Sequence, residues 1–206
     1  MENFSYLVGD AGAKECLVVD PAWEVENVIE AAEKDGMKVV GALVTHTHYD
    51  HANSSGKFAA KTGGKIYVHR AEAEALKAVK GHLVPTEDGT KISVGDIHLT
   101  CIHTPGHTPG AQCFLIEMPD AGGKRYVLTG DTLFVGACGR CDLAGGNAAQ
   151  LYESLVRLAK LDDSTVVLPG HDYGDEPAST IGREKKTNPY YQARSLDEFL
   201  HERMGF

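Results

Sequence analysis

Residues 45–56 read THTHYDHANSSG, so that His46, His48, Asp50 and His51 fall within six consecutive positions. Chance produces such an H-x-H-x-D-H string in a chain of this length on the order of once in a thousand. The apolar run KVVGALV (38–44) leads straight into it, which puts the imidazoles at the C-terminal end of a strand, where α/β proteins build their sites. In extended chain, residues i and i+2 point the same way, so His46 and His48 can converge on one ion. Asp50 and His51 lie past a bend and can serve another. Neutral imidazoles and a carboxylate suit Zn²⁺, Fe²⁺ or Mn²⁺, and with no thiolate in the cluster the pattern reads as an open, catalytic metal rather than a closed structural zinc.

Four donors are too few for two ions, so further ligands are expected where other strands end. Three segments offer them. In CIHTPGHTPGAQ (101–112) the Pro/Gly-rich turn aims His107 inward as a ligand, whereas His103 still belongs to the strand and is read as a packed or surface histidine. In YVLTGDTLF (126–134) an apolar strand ends at Gly130-Asp131, and a carboxylate there can bridge two cations. In VVLPGHDYG (166–174) a strand and a turn precede His171. His69, His82, His98 and His201 lie outside such settings and are expected at the surface.

The elements that must position these residues are short. Strands are expected at 4–8, 16–20, 38–44, 65–68, 91–94, 97–102, 112–117, 125–129 and 165–169, from apolar, β-branched runs. Helices are expected at 24–36, 53–62, 71–78, 147–160, 177–186 and 195–203, with Leu151, Leu155 and Leu158 on one face and Gly36 as a stop. Hairpin-like neighbours mixed with helical crossovers suggest two packed sheets with helices outside, a layered α/β arrangement. The 206 residues, 42% hydrophobic and 24% charged, suit one domain spanning 1–206. A formal charge of −9 and a pI near 5.5 oppose non-specific binding to nucleic acid or an anionic membrane. With no signal-like N-terminus and no apolar run near the roughly 20 residues that span a bilayer, a cytoplasmic location is expected. Five cysteines are an odd count in a chain large enough to need no staples. CGRC (138–141) is followed by DLAGG rather than a helix, so Cys138 and Cys141 are read as two loop thiols.

Taken together, the four segments resemble the metallo-β-lactamase superfamily, whose pattern of H-x-H-x-D-H, a later His, a later Asp and a final His is filled at every position. The resemblance implies a four-layer αββα sandwich with metals at one edge of the paired sheets. It implies His46, His48 and His107 on a first metal, and Asp50, His51 and His171 on a second, with Asp131 bridging. Two divalent ions, zinc above iron or manganese, would acidify a bound water and polarise a carbonyl, and Asp50 would also orient the nucleophile. LTGDTLFVGACGRCD (128–142) is similar to the glyoxalase II branch, which hydrolyses glutathione thioesters, and GHDYGDEPASTIGREKKTNP (170–189) to its compact relatives, including the persulfide dioxygenases. The long C-terminal helical domain of larger glyoxalase II enzymes has no counterpart in the 35 residues after His171, and CDLAGG follows CGR where a dioxygenase would carry something closer to TDFQ-x-G. The reading is therefore a hydroxyacylglutathione hydrolase-like thioester hydrolase. The alternatives are a dioxygenase with one Fe(II) on His46, His107 and Asp131 that oxidises glutathione persulfide to sulfite, and a non-catalytic metal-binding protein of the same fold. GHDYG and STIGREK point to the thiol branch rather than to a β-lactamase, and the acidic balance points away from a nuclease. A glutathione-like substrate would need cationic and phenolic groups, for which Arg140, Tyr173, Arg183, Lys185 and Lys186 are the candidates. The sequence carries no sign of oligomeric state.

Overall fold

Leu17 and Val19 turn toward one core, while Cys16 and Val18, on the other face of the same strand, turn toward a second. This is the period-two alternation of a strand covered on both sides. The structure is a computed structural model describing residues 2–118 and 122–205. In its first sheet β1 (Tyr6–Asp10), β2 (Glu15–Val19), β3 (Lys38–Leu43), β4 (Lys65–His69) and β5 (Leu83–Thr86) lie in sequence order, antiparallel for the first pair and parallel thereafter. The second half of the chain supplies β6 (Lys91–Val94), β7 (Ile97–His103), β8 (Gln112–Glu117), β9 (Arg125–Gly130), the two-residue hairpin β10 (Leu133–Phe134) and β11 (Ala137–Cys138), then β12 (Val166–Pro169) and β13 (Ser179–Thr180). Apart from the hairpin these form the second sheet, in the order β13-β12-β9-β8-β7-β6, with only β9 and β12 parallel.

Three apolar clusters define the layers. Between the sheets, Val8, Leu17, Val19 and Leu43 of the first meet Ile92, Leu99, Phe114 and Leu128 of the second. On the outer face of the first sheet lie α1 (Val25–Lys34), whose Val25, Val28, Ile29 and Ala32 share one side, and α3 (Ser55–Thr62), which buries Phe58. The short α2 (Tyr49–Ala52) precedes α3. On the outer face of the second sheet, α4 (Ala148–Leu158) buries Leu151, Leu155 and Leu158 beside α5 (Ile181–Thr187), α6 (Pro189–Gln192) and α7 (Leu196–Met204). Each of those leucines contributes roughly 1.5–3 kcal/mol by leaving water. Asn147 caps α4 by accepting from Gln150 N, and Ser195 caps α7 by accepting from Glu198 N. The result is the expected four-layer αββα sandwich.

Some elements differ from expectation. The stretch expected as a helix over 71–78 is a 3₁₀ helix, Ala73–His82, with non-helical dihedrals at Leu76 and Val79, and its Ala73, Leu76 and Val79 are only partly buried against the first sheet's outer core. β5 went unread because Pro85 interrupts it; the proline is tolerated because β5 is an edge strand. The helix expected from 177 begins at Ile181, since Ser179 and Thr180 first pair with β12. His69 is not a surface residue: it is buried, with its ring stacked on His103 at 4.0 Å. Of the two expected loop thiols, Cys138 lies in β11 while Cys141 is outside any strand or helix; both are buried members of the outer core, and burial pushes the Cys138 pKa up to about 12.

Among the described residues no helix is long and apolar enough to cross a membrane. The C-terminal ends of β2, β3, β9 and β12 all open at one edge of the sandwich, and each delivers a polar residue to it.

Candidate metal centre

Beyond β3 the chain bends first at Thr45, which is buried together with Val44 and His46. It then bends at His48, which stands just before α2, so that Asp50 and His51 come from the first turn of that helix. The i, i+2 pair and the post-bend pair therefore approach from two directions, as the spacing implies. His107 arrives from the loop between β7 and β8, Asp131 from the turn after β9, and His171 from the end of β12. Two glycines make the convergence sterically possible. Gly130 sits at φ +48°, and a Cβ there would lie 2.6 Å from Thr45. A Cβ on Gly170 would lie 2.7 Å from Asp131 Oδ1 and 3.0 Å from His51 Cε1.

The structure brings all seven expected side chains together as two sets. In the first, His46 Nε2 is 3.1 Å and His107 Nε2 2.9 Å from His48 Nδ1. In the second, His51 Nε2 and His171 Nε2 are 3.1 Å apart, with Asp50 Oδ2 3.7 Å and 3.5 Å from them. Asp131 lies between the sets: Oδ1 is 3.3 Å from His51 Nε2, while Oδ2 is 3.5 Å from His107 Nε2 and 3.4 Å from His171 Nε2.

The residues around the rings decide which nitrogens carry protons. His107 Nδ1 donates to the Arg140 carbonyl at 2.7 Å, and His51 Nδ1 donates to Asp20 Oδ2 at 2.9 Å. Thr45 Oγ1 gives its proton to Asp20 Oδ2 at 2.8 Å, so it accepts from His46 Nδ1 at 3.1 Å. Three imidazoles are thereby oriented with Nε2 facing inward, where a cation could take its lone pair. Burial holds the His46 pKa well below the ordinary value, reinforced by the charge of His51, and burial lowers that of His107 too. Burial opposes charge on Asp131 as well, but the neighbouring His171 and His51 rings outweigh it and hold its carboxyl far below the usual range. On His51, burial is outweighed by Asp131 and Asp20, which keep its pKa up at about 10. Lone pairs crowded at 2.9–3.1 Å, with the buried Asp131 Oδ1 lacking a hydrogen-bond partner, are what divalent cations would satisfy. The donor set fits them, and a cation would replace the proton His51 otherwise keeps.

Several residues that support the site escaped the sequence reading. Asp20 accepts from Thr45 N at 2.7 Å as well as from Thr45 Oγ1 and His51 Nδ1. It ends the apolar run CLVVD just as Asp131 ends its own, a signal that could have found it. Glu72, buried, receives Thr47 Oγ1, and Gly110 N at 2.9 Å, so it ties the His46–His48 segment to the His107 loop. Gln112 at the start of β8 donates to the Val44 carbonyl at 2.9 Å and accepts from Thr86 Oγ1 at 2.8 Å, joining the two sheets beneath the site. Asn3 Nδ2 reaches Asp50 Oδ2 at 3.2 Å and the Asp50 carbonyl at 3.1 Å.

The candidates for substrate contact are placed differently. Tyr173 stacks on His171 with ring centroids 4.6 Å apart and is 54% exposed, at the mouth of the site. The Arg140 guanidinium is engaged by Asp142 through two hydrogen bonds of 3.0 and 2.8 Å, so only its carbonyl serves the centre. Arg183 is held by Asp175 at 2.8 Å and Lys185 by Asp163 at 2.6 Å, while Lys186 is exposed.

Two sheets closed by outer helices, with histidines and carboxylates gathered at the strand ends, define a metal-site α/β sandwich. The chain belongs to the metallo-beta-lactamase superfamily, whose profile matches residues 2–171. It is 30% identical over 202 residues to the probable polyketide biosynthesis zinc-dependent hydrolase BaeB of Bacillus velezensis, covering 98% of this chain and 87% of that one. Among structures, it is similar to ETHE1 from Myxococcus xanthus, with a TM-score of 0.85 and 31% identity over 100% of this chain and 87% of that one. It is also similar to TTHA1623 in a di-iron-bound form, with a TM-score of 0.74 and 28% identity over 90% of this chain and 93% of that one.

Proposed function

We propose that this protein is a metal-dependent hydrolase that cleaves an acyl thioester of a small thiol, with glutathione as the carrier to test first. The observation that carries this reading is the presence of two complete three-donor sets, His46/His48/His107 and Asp50/His51/His171, with Asp131 between them. Superfamily membership and the zinc-dependent hydrolase BaeB support hydrolytic metal chemistry. Divalent cations bound there supply Lewis acidity toward a carbonyl and acidify a water.

The chain's own residues do the rest. Asp50, steadied by Asn3 and facing both His51 and His171, orients the attacking water and accepts its proton. Water adds to the acyl carbon, the C–S bond breaks, and the sulfur leaves as a thiolate that takes up the proton, giving a carboxylic acid and a thiol. Tyr173 stands at the mouth to donate to the developing oxyanion or to the leaving sulfur. Thr45, Asp20 and the Arg140 carbonyl keep their imidazoles from rotating, so the donors need not reorganise.

A second reading is oxidation of glutathione persulfide to sulfite at a single iron on His46, His107 and Asp131; the di-iron-bound form of TTHA1623 supports iron as the metal, though as a pair rather than singly. One paired experiment separates the two: thioester loss from S-lactoylglutathione with zinc-loaded protein, and oxygen uptake with iron-loaded protein and glutathione persulfide. Thioester cleavage without oxygen uptake supports the hydrolase, and rapid oxygen uptake with sulfite release replaces it with the dioxygenase.

A further inference from the structure

Trp23 follows β2 in a conformation that bulky residues avoid. It sits at φ +49°, three residues after Asp20 at +51°, and such outliers persist only where the surroundings over-determine them. Here Trp23 N donates to Asn53 Oδ1 at 2.7 Å, Ser54 Oγ donates to the Trp23 carbonyl at 2.6 Å, and the indole Nε1 reaches Asn3 Oδ1 at 3.4 Å. All this holds an indole that stays 43% exposed. Tyr49, the residue between His48 and Asp50, is 72% exposed and meets the indole edge-on at 5.7 Å. Of the six large apolar side chains exposed among the described residues, Trp23, Tyr49 and Tyr173 all border the metal centre, a clustering that marks a contact surface rather than scattered exposure.

Beside the indole lies a cavity of 230 Å³, walled by Phe4, Trp23 and Val28 and, on its polar side, by Asp20, Glu24 and Asp50. Asp50 belongs also to the metal centre, so the cavity adjoins the site. No lysine, arginine or histidine lines it. An anionic group entering there would meet Glu24 with no cationic side chain in the wall to offset it, whereas an apolar group would cover the indole and the Phe4 ring.

We infer that this cavity is the acyl subsite of the enzyme, that Trp23 is its specificity-determining residue, and that it takes an uncharged, apolar acyl group and rejects one ending in a carboxylate. This rests on the hydrolase reading above. Asn3 couples the two functions as a positioning residue, since its amide holds Asp50 with one end and the indole with the other.

The test uses zinc-loaded protein and thioesters of one thiol that differ only in the acyl group, 3-phenylpropionyl against succinyl. Wild type is expected to favour 3-phenylpropionyl by about tenfold or more in kcat/KM. Trp23→Ala removes most of that preference, chiefly through KM, and Trp23→Phe keeps it. Val156→Ala, a control at an exposed apolar side chain on α4, leaves the profile as in wild type. Trp23 is also the chain's one tryptophan, so its emission reports occupancy without turnover. A 3-phenylpropyl thioether shifts that emission saturably, and a thioether ending in a carboxylate does not. Turnover with no acyl preference, a preference untouched in Trp23→Ala, or an emission unmoved by the apolar thioether overturns the subsite. An emission shift with neither thioester cleaved supports the subsite and overturns the thioester reading instead.

Discussion

Asp131 faces three imidazoles of two different sets, His51, His107 and His171. Its replacement by Ala is therefore expected to empty both sets rather than one. Metal content by elemental analysis should fall toward none, with kcat/KM down by at least about 10²-fold; a variant that kept metal would unseat the assignment. Asp20→Asn tests a subtler point. The amide can still accept from Thr45 N but no longer gives His51 Nδ1–H a charged partner, and losses of this kind cost about 10–100-fold in metal affinity or activity. Competition with a chromogenic chelator should show the loss as weaker affinity for one ion of the pair. The seven convergent side chains were legible in the sequence because strand periodicity and turn residues place them one strand end at a time. Asn3 and Trp23 were not, because what they do depends on partners 47 and 30 residues away, and no local pattern encodes such a pairing; Asp20 did carry a strand-end signal, but its partner His51 is 31 residues away.

Among the elements, those with a strong period were legible and those defined by pairing alone were not. The spacing of Val25, Val28, Ile29 and Ala32 announces α1, whereas the two-residue β10, β11 and β13 exist only because a neighbour offers hydrogen bonds. Phe58 anchors α3 to the first sheet and is fully buried. Phe58→Ala should cost about 3–5 kcal/mol in denaturant unfolding, without changing which ligands meet. The loop-to-loop tie at Glu72 makes a prediction about acid. Burial raises its pKa, but the hydrogen bonds from Thr47 and Gly110 prevail and hold it below the ordinary value. A carboxyl whose folded pKa is depressed adds stability above the unfolded pKa and loses it as pH falls through the folded one. Metal-free Glu72→Gln should therefore be less stable than wild type near neutrality, and the gap should close below about pH 4, the unfolded range for a glutamate. Urea midpoints at pH 7 and pH 3.5 check the sign.

At the scale of the molecule, each donor set draws on both halves of the chain: 46–51 follow the first sheet, while 107, 131 and 171 come from the second. A bound ion therefore clamps one sheet to the other. Chelation is expected to lower Tm by roughly 5–10 °C, as about 2.7 kcal/mol of binding at a hundredfold excess over Kd translates for a chain of this size, and zinc should restore it. Calorimetry with and without chelator measures this directly.

The division of ligands between the halves also sets an order of events during synthesis. When the ribosome has made the first sheet, His46, His48, Asp50 and His51 have been produced, yet neither trio exists. His107 completes one, and His171, the last strand-end ligand, completes the other. A nascent chain thus leaves His46 and His48 without their third donor until His107, and Asp50 and His51 without theirs until His171, delays of seconds at ordinary rates of elongation, before the cage can discriminate among ions. Which metal the protein finally carries is settled after the sheets have docked, by what the finished cage selects rather than by what the emerging histidines first encounter.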